Sequence, residues 1–471
     1  VTFLTIAEAS GLIAAKKLSP VELARTCLDR IERLNPHVSA FITVTPERAL
    51  SDARAAEARM MAGNQRTPLD GIPIGHKDLF NTSGIPTTAH SRVLQDHVPA
   101  VDAHIVTRLA QAGTVMLGKL AMFEFALNGS PFETPWPPAR NPWDVERSTS
   151  GSSSGTASAI AAGLVLGGTG TDTGGSIRSP AAFCGTSGIK PTYGRCSRAG
   201  SIPLAYTLDH VGPMAWTAED SAMLLQEMAG YDPDDPASAQ VAVPDYRAEL
   251  HRGVRGLRIG VVRHFFESDD PVSAETHAGI DGSLSILRSE GALLQDVTLP
   301  ALRAFTAVNR VIMNCEAAAI HEQWLRVRPG DYSTRLRNRL ILAATLKSSD
   351  YLQAQRRRRE LCQEVALAMT DLDLLVTAMA VGEAPPLGET SEWDGLLGLN
   401  FAAPWNLTGL PAMSVRTGFG PNHLPLSVQI GGKPFGETTV LRAAHALERS
   451  TPWSVPRPAM GLASAAVHHP N

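Results

Sequence analysis

Cysteine is scarce and scattered in this chain of 471 residues. It has five, Cys27, Cys184, Cys196, Cys315 and Cys362, an odd number at wide spacings with no Cys-x-x-Cys. Neither a disulfide framework nor a cysteine zinc site is expected, and a reducing compartment fits. The 14 histidines include no His-Glu-x-x-His, so a zinc protease has no support. No apolar run approaches the roughly 20 residues that span a bilayer. The apolar patch Phe3 to Ala7 lacks the basic flank and long apolar stretch of a signal peptide. Charge of either sign is nearly balanced, 42 Lys and Arg against 46 Asp and Glu. Nothing advertises a nucleic-acid or membrane surface. The one dense basic run, Arg356 to Arg359, lies in a helical stretch and reads as a solvated helix face. The expectation is a soluble cytoplasmic protein.

What is present is ample core material and alternation. Hydrophobic residues make up 44% of the chain. Ser19-Pro20-Val21-Glu22 opens a helix whose apolar positions Val21, Ala24, Leu28 and Ile31 recur at helical spacing until Asn35-Pro36. A second, alanine-rich helix follows from Thr45-Pro46-Glu47 to Gly63, so residues 1–65 read as helical packing elements. Beyond them, strand-like and helix-like segments alternate: strands near 71–74, 114–117, 164–166, 257–262, 293–297, 374–377 and 426–430, helices near 102–112, 275–290 and 438–448. Such alternation over the whole length predicts an α/β fold with helices on both faces of a large sheet. With no repeat and no separating linker, 1–471 reads as one domain, in which the helical segment 303–365 forms a cap over a sheet edge. Residues 460–471 read as a loose tail.

One stretch is abnormal. Between Ser148 and Ser179, serine, threonine and glycine dominate, yet an apolar helix-like piece, 157–162, is embedded. A flexible linker needs no such piece. A dinucleotide or phosphate loop fails on spacing, because no Gly-Lys-Ser/Thr follows. Gly151-Ser152-Ser153-Ser154-Gly155 matches a Gly-x-Ser-x-Gly elbow with Ser153 as nucleophile, but the polar loop 141–148 stands where that elbow needs a strand. Thr173-Gly174-Gly175-Ser176 fits better. Its glycines let several N–H groups face one spot and hold an oxyanion, with a serine beside it. A serine needs a base. No histidine motif offers one, which turns attention to a lysine, active only when burial keeps it neutral. Lys77, after the apolar Ile72-Pro73-Ile74, is the candidate.

At these residues the chain resembles the amidase signature family of serine amidohydrolases, over almost its whole length. Residues 71–78 look like the catalytic-lysine strand of that family, 151–155 like its glycine/serine loop, and 170–185 with 188–192 like the signature itself. Segments 208–213, 350–354 and 404–412 are also similar. The resemblance implies that Ser176 is the acyl nucleophile and that Ser152, after a cis peptide at Gly151, bridges it to Lys77. It further implies that the backbone N–H groups of Thr173, Gly174, Gly175 and Ser176 form the oxyanion hole. It calls for no metal and no cofactor. Asp172 and Arg178 either shape the loop or, for the arginine, meet an acidic substrate. The family loop more often reads Gly-Gly-Ser-Ser-Gly-Gly-Ser. Here Ser150, Ser154 and Thr156 depart from it, while the bridging serine does not.

Selectivity then falls to the loops. The stretch 125–136 and Trp405 supply candidate pocket residues, Ala126, Phe132, Trp136 and Trp405, each of which equally suits the core. Together they suggest a small, neutral, partly apolar amide, anilide or carbamate, cleaved through an acyl-enzyme on Ser176. The expected partners are that small molecule and no nucleic acid or membrane, with a homodimer left open. The rival is a subunit resembling the amidase half of the tRNA-dependent amidotransferases, which passes ammonia to a partner. The acidic balance counts against it.

Overall fold

A computed structural model describes residues 3–127, 132–388, 398–451 and 457–460. The chain opens with helices α1 (Ile6–Ala14), α2 (Pro20–Val38) and α3 (Pro46–Ala62), with strand β1 (Phe41–Val44) between the last two. Ser19 caps α2, its hydroxyl accepting from the N–H groups of Val21 and Glu22. The helix does not stop at Pro36 as its sequence predicts. It runs to Val38, where Ser39 in the left-handed conformation closes it with a 2.7 Å bond to the Asn35 carbonyl. A proline this near the end forfeits only one interior bond.

Next come β2 (Pro73–Lys77), α4 (His104–Ala112), β3 (Val115–Leu120), the small hairpin β4 (Arg140–Asn141) and β5 (Asp144–Ser148), α5 (Ser154–Ala161) and β6 (Gly167–Asp172). They are followed by α6 (Arg178–Cys184), β7 (Ser187–Lys190), β8 (His210–Ala215), α7 (Ala218–Met228), β9 (Arg258–Val261), α8 (Ala274–Ser289) and β10 (Leu293–Asp296). Helices α9 (Leu302–Val327), α10 (Thr334–Ala343) and α11 (Ser348–Ala368) precede β11 (Leu374–Ala378). The chain closes with helix Ala403–Thr408, β12 (Ala412–Phe419), β13 (Pro425–Gly432) and helix Glu437–Ser450.

Among the described residues, eleven strands form one mixed sheet in the order β1-β3-β2-β6-β8-β7-β12-β13-β11-β9-β10, with helices on both faces. β2 and β6 lie side by side and parallel, Gly75 opposite Gly168. Their C-terminal ends, Lys77 and Asp172, therefore emerge together. β8 runs antiparallel to β6 with His210 opposite Asp172. The common direction of the two parallel strands thus delivers their side chains to one place.

The strand expected at 164–166 is instead β6, displaced into the glycine and threonine run. Every residue of β6 is buried. A Cβ on Gly168 would stand 2.8 Å from the Gly75 carbonyl oxygen, so the close approach of β2 favours glycine where propensity alone disfavours a strand. From the helical segment after residue 302, Asn309 on α9 reaches the loop after β6. In the basic run of α11, Arg358 turns inward and bonds the carbonyls of Leu407 and Thr207 at 2.7 and 3.0 Å, while Arg357 pairs with Glu360 and Glu364 on the outer face. Among the described residues no helix is long and apolar enough to cross a membrane. Most of the expected tail, 461–471, lies outside the described residues.

Candidate active site

Lys77 ends β2 with no solvent exposure. Its Nζ lies 2.8 Å from Ser152 Oγ and 2.8 Å from Thr171 Oγ1. Thr171 sits on the neighbouring β6, so two adjacent strands and one loop meet at the amine. The peptide between Gly151 and Ser152 is cis. Ser152 is buried, whereas Ser176 keeps part of its surface open. The Ser153 N–H donates to the Ser176 carbonyl at 3.1 Å, which fastens the two serine loops together. Among the described residues the Ser176 hydroxyl has no hydrogen-bond partner.

Burial pulls the Lys77 amine from its ordinary value down to about 7, against the opposing pull of Asp172 and Asp209. Near neutrality a large share of it is therefore uncharged, with a lone pair that can accept a proton. Lys119 and Lys190 are equally buried, but their surroundings differ. Lys119 pairs with Asp78 at 3.2 Å and Lys190 donates to the carbonyls of Leu410 and Pro191. Neither meets a serine hydroxyl. Burial depresses both, with carboxylates partly countering it.

The loop after β6 is built on Asp172. Its carboxylate accepts from the N–H groups of Gly175 at 2.8 Å and Ile177 at 3.2 Å, and from both Nε and Nη2 of Arg178. Burial raises the Asp172 carboxyl, but Arg178 beside it outweighs that and holds it below the carboxylate range. Arg178 is itself fully buried, and its remaining donors go to Ala402, Asn406 and Gln429. Its guanidinium is thus satisfied within the protein and shapes the loop. Thr173 donates its hydroxyl to Asp209 at 2.6 Å, and burial pushes the Asp209 carboxyl up to about 6. Gly175 has φ +113°, and a Cβ there would stand 2.8 Å from both Ala402 Cβ and Ser179 Oγ, so only glycine suits this turn.

Two sequence expectations need correction here. The Gly175 N–H is not available to an oxyanion, because Asp172 takes it. The N–H groups of Thr173, Gly174 and Ser176 have no partner among the described residues. The four candidate pocket residues also lie in unlike surroundings. Trp405 is 2% exposed and packs against Gly431 in the core, while Phe132 is 62% exposed. Trp136 lies against the His90 ring at 5.7 Å, and Ala126 is buried. Part of the expected pocket stretch, 128–131, lies outside the described residues. Sequence reading missed Thr171, Asp209, Asn309, Asn400 and Asn406. A signal existed for three: Thr171, Asp209 and Asn406 lie in the 170–185, 208–213 and 404–412 segments. Among the described residues no group of three His, Cys, Asp or Glu side chains is arranged to hold a metal ion.

Comparison with known proteins sets this geometry in a family. A family model described as Amidase matches residues 22–441. The chain is 40% identical to a glutamyl-tRNA(Gln) amidotransferase subunit from Chloroflexus aggregans, over 98% of this chain and 99% of that one. The solved structure of the corresponding glutamyl-tRNA(Gln) amidotransferase subunit from Thermotoga maritima is 32% identical, with a TM-score of 0.82 over 97% of both chains. The native peptide amidase of Stenotrophomonas maltophilia is 29% identical, with a TM-score of 0.84 over 96% of this chain and 98% of that one. The two amidotransferase relatives overturn the expected partners, a small-molecule amide with no nucleic acid and at most a homodimer. By name they are one subunit of an assembly whose substrate is linked to tRNA. Net charge misled because it sums the whole surface and says nothing of a local one. Signature loop, fold and full-length similarity agree: the chain belongs to the amidase signature family, enzymes that act on C–N bonds.

Proposed function

We propose that this chain is the amide-opening subunit of a tRNA-dependent amidotransferase. The observation that carries this reading is its 40% identity to one such amidotransferase subunit over essentially both full lengths. The stand-alone amidohydrolase is the poorer fit to such relatives.

The chemistry we assign runs through Lys77, Ser152 and Ser176. Neutral Lys77 takes the Ser152 proton as Ser152 takes the Ser176 proton. Ser176 Oγ bonds to the carboxamide carbon, and the carbonyl oxygen gathers negative charge that the N–H groups of Thr173, Gly174 and Ser176 stabilise. The C–N bond breaks as the proton returns through Ser152 to the nitrogen, which leaves as ammonia. Water enters by the same relay and frees the acid from Ser176. The ammonia goes to a tRNA-linked acyl group held by a partner protein.

The test supplies L-glutamine to the purified chain, alone and with candidate partner proteins and glutamyl-tRNA, and measures ammonia. A rise of tenfold or more that requires the partner and the tRNA supports the proposal. Rapid hydrolysis of anilides or simple amides by the chain alone, indifferent to both additions, contradicts it.

A further inference from the structure

Planar peptide units decide where the N–H groups of the nucleophile loop point. In a trans unit the carbonyl and the next N–H face opposite ways. Gly151–Ser152 is the only cis bond among the described residues. Whatever holds a carbonyl therefore aims the following N–H in the other direction. The Asp172 carbonyl accepts from Asn406 Nδ2 at 3.0 Å, the Thr173 carbonyl from Asn309 Nδ2 at 3.3 Å, and the Gly175 carbonyl from the Ser179 N–H at 2.7 Å. The N–H groups that follow them, on Thr173, Gly174 and Ser176, are the three left without a partner among the described residues. The unit between them behaves as an internal control. Asn400 Nδ2 holds the Gly174 carbonyl at 2.9 Å, and the next N–H, on Gly175, turns to Asp172.

We propose that Asn309 is a positioning residue for the oxyanion hole: from α9 it fixes the Thr173 carbonyl, and thereby aims the Gly174 N–H at the oxygen that becomes charged. Asn309 is buried, and its Oδ1 would stand 3.4 Å from a Cβ on Gly174, so this residue packs directly on the loop it orients. Glycine is the residue whose backbone turns most freely. Without an outside restraint, the Thr173–Gly174 unit, with glycine on one side, can rotate its N–H out of line. An oxyanion hole works because its donors need no reorganisation when charge appears, and a restraint on the carbonyl side supplies that without touching substrate.

The proposal rests on Ser176 being the nucleophile, and the experiment separates the two. The full chain is treated with a fluorophosphonate, whose P=O oxygen takes the place of the oxyanion when a serine attacks phosphorus and fluoride leaves. Saturation kinetics give the probe affinity and the bond-forming rate separately. Asn309→Ala and Asn309→Asp are expected to lower the bond-forming rate about tenfold with affinity unchanged, since losing a whole donor costs roughly 10²–10³ and a misaimed one less. Asn309→Asp keeps the size of the side chain but faces the carbonyl with an oxygen, so a packing role alone would leave it at the wild-type rate. It carries the test if Asn309→Ala is poorly folded. Ser176→Ala must lose labelling; if it is still labelled, the nucleophile reading fails. If Ser176→Ala is unlabelled while both Asn309 variants react at the wild-type rate, or change only in affinity, the nucleophile stands and the Asn309 proposal falls.

Discussion

Lys77 Nζ meets Ser152 Oγ at 2.8 Å with neither group open to solvent, and a second hydroxyl, Thr171, takes another of the amine's hydrogen-bonding positions at the same distance. An amine so placed is drawn in two directions. Water would keep it charged, and burial keeps it available as a base. The consequences can be measured.

The first concerns pH. The neutral amine is the active form, and burial brings Lys77 to about 7. The bond-forming rate at Ser176 should rise with pH to a plateau above about pH 8. Below the Lys77 value it should fall roughly tenfold per unit, as the ammonium loses its lone pair. Pre-steady-state acylation measured from pH 5 to 9 checks this, and a flat profile would sink it.

The second concerns stability, and its origin is the penalty of burying a charge. A lysine of ordinary value 10.5 brought to about 7 binds fewer protons folded than unfolded between those two values. Stability therefore rises with pH across that window, and the full penalty applies below about 7. At about 1.4 kcal/mol per unit, the penalty is on the order of a few kcal/mol. Lys77→Met should be inactive yet melt at a higher temperature at pH 7, with the gap narrowing toward pH 10. Melting curves at several pH values decide it.

Neighbouring serines should separate cleanly. Ser176→Ala should abolish turnover, and Ser152→Ala should lower it by at least 10²-fold, because the relay to Lys77 is cut. Ser153→Ala should stay within a fewfold of wild type, since its hydroxyl makes only a 3.4 Å contact with the Thr171 carbonyl. Full loss in Ser153→Ala with activity in Ser176→Ala would move the nucleophile to the elbow serine.

Arg178→Lys should fail as a fold rather than as an enzyme of altered preference. The guanidinium holds Asp172 with two nitrogens and reaches Ala402, Asn406 and Gln429 as well. A lysine cannot satisfy that set, and disrupting a buried pair of this kind costs about 3–5 kcal/mol. A large drop in melting temperature is expected. A variant of normal stability that merely accepts different substrates would show instead that Arg178 serves recognition.

How much of this was legible in the sequence follows from range. Lys77, Ser152 and Ser176 stand in local patterns, and the structure brings the lysine to the first serine. Alternation of elements was enough for the α/β sheet. β6 was misplaced because a buried strand squeezed between close neighbours is made of residues that look like loop, and the reason, the approach of Gly75 to Gly168, is a contact between residues far apart in the chain. Three lysines, 77, 119 and 190, are equally buried, and nothing local tells which of them meets a serine hydroxyl. The partners of Arg178 beyond its own loop lie 224 to 251 positions away, and Asn309 reaches Thr173 across 136. Trp405 reads as a pocket residue from its motif and is core because Gly431 leaves room for its ring.

The most direct test of the acyl-transfer relay is peptide-mapping mass spectrometry of the protein quenched during turnover of a carboxamide at pH 8. The relay predicts an added acyl mass on the peptide containing Ser176, absent in Ser176→Ala and greatly slowed in Ser152→Ala. An adduct on Ser153, or turnover with no covalent adduct even when the hydrolysis step is slowed, would contradict it.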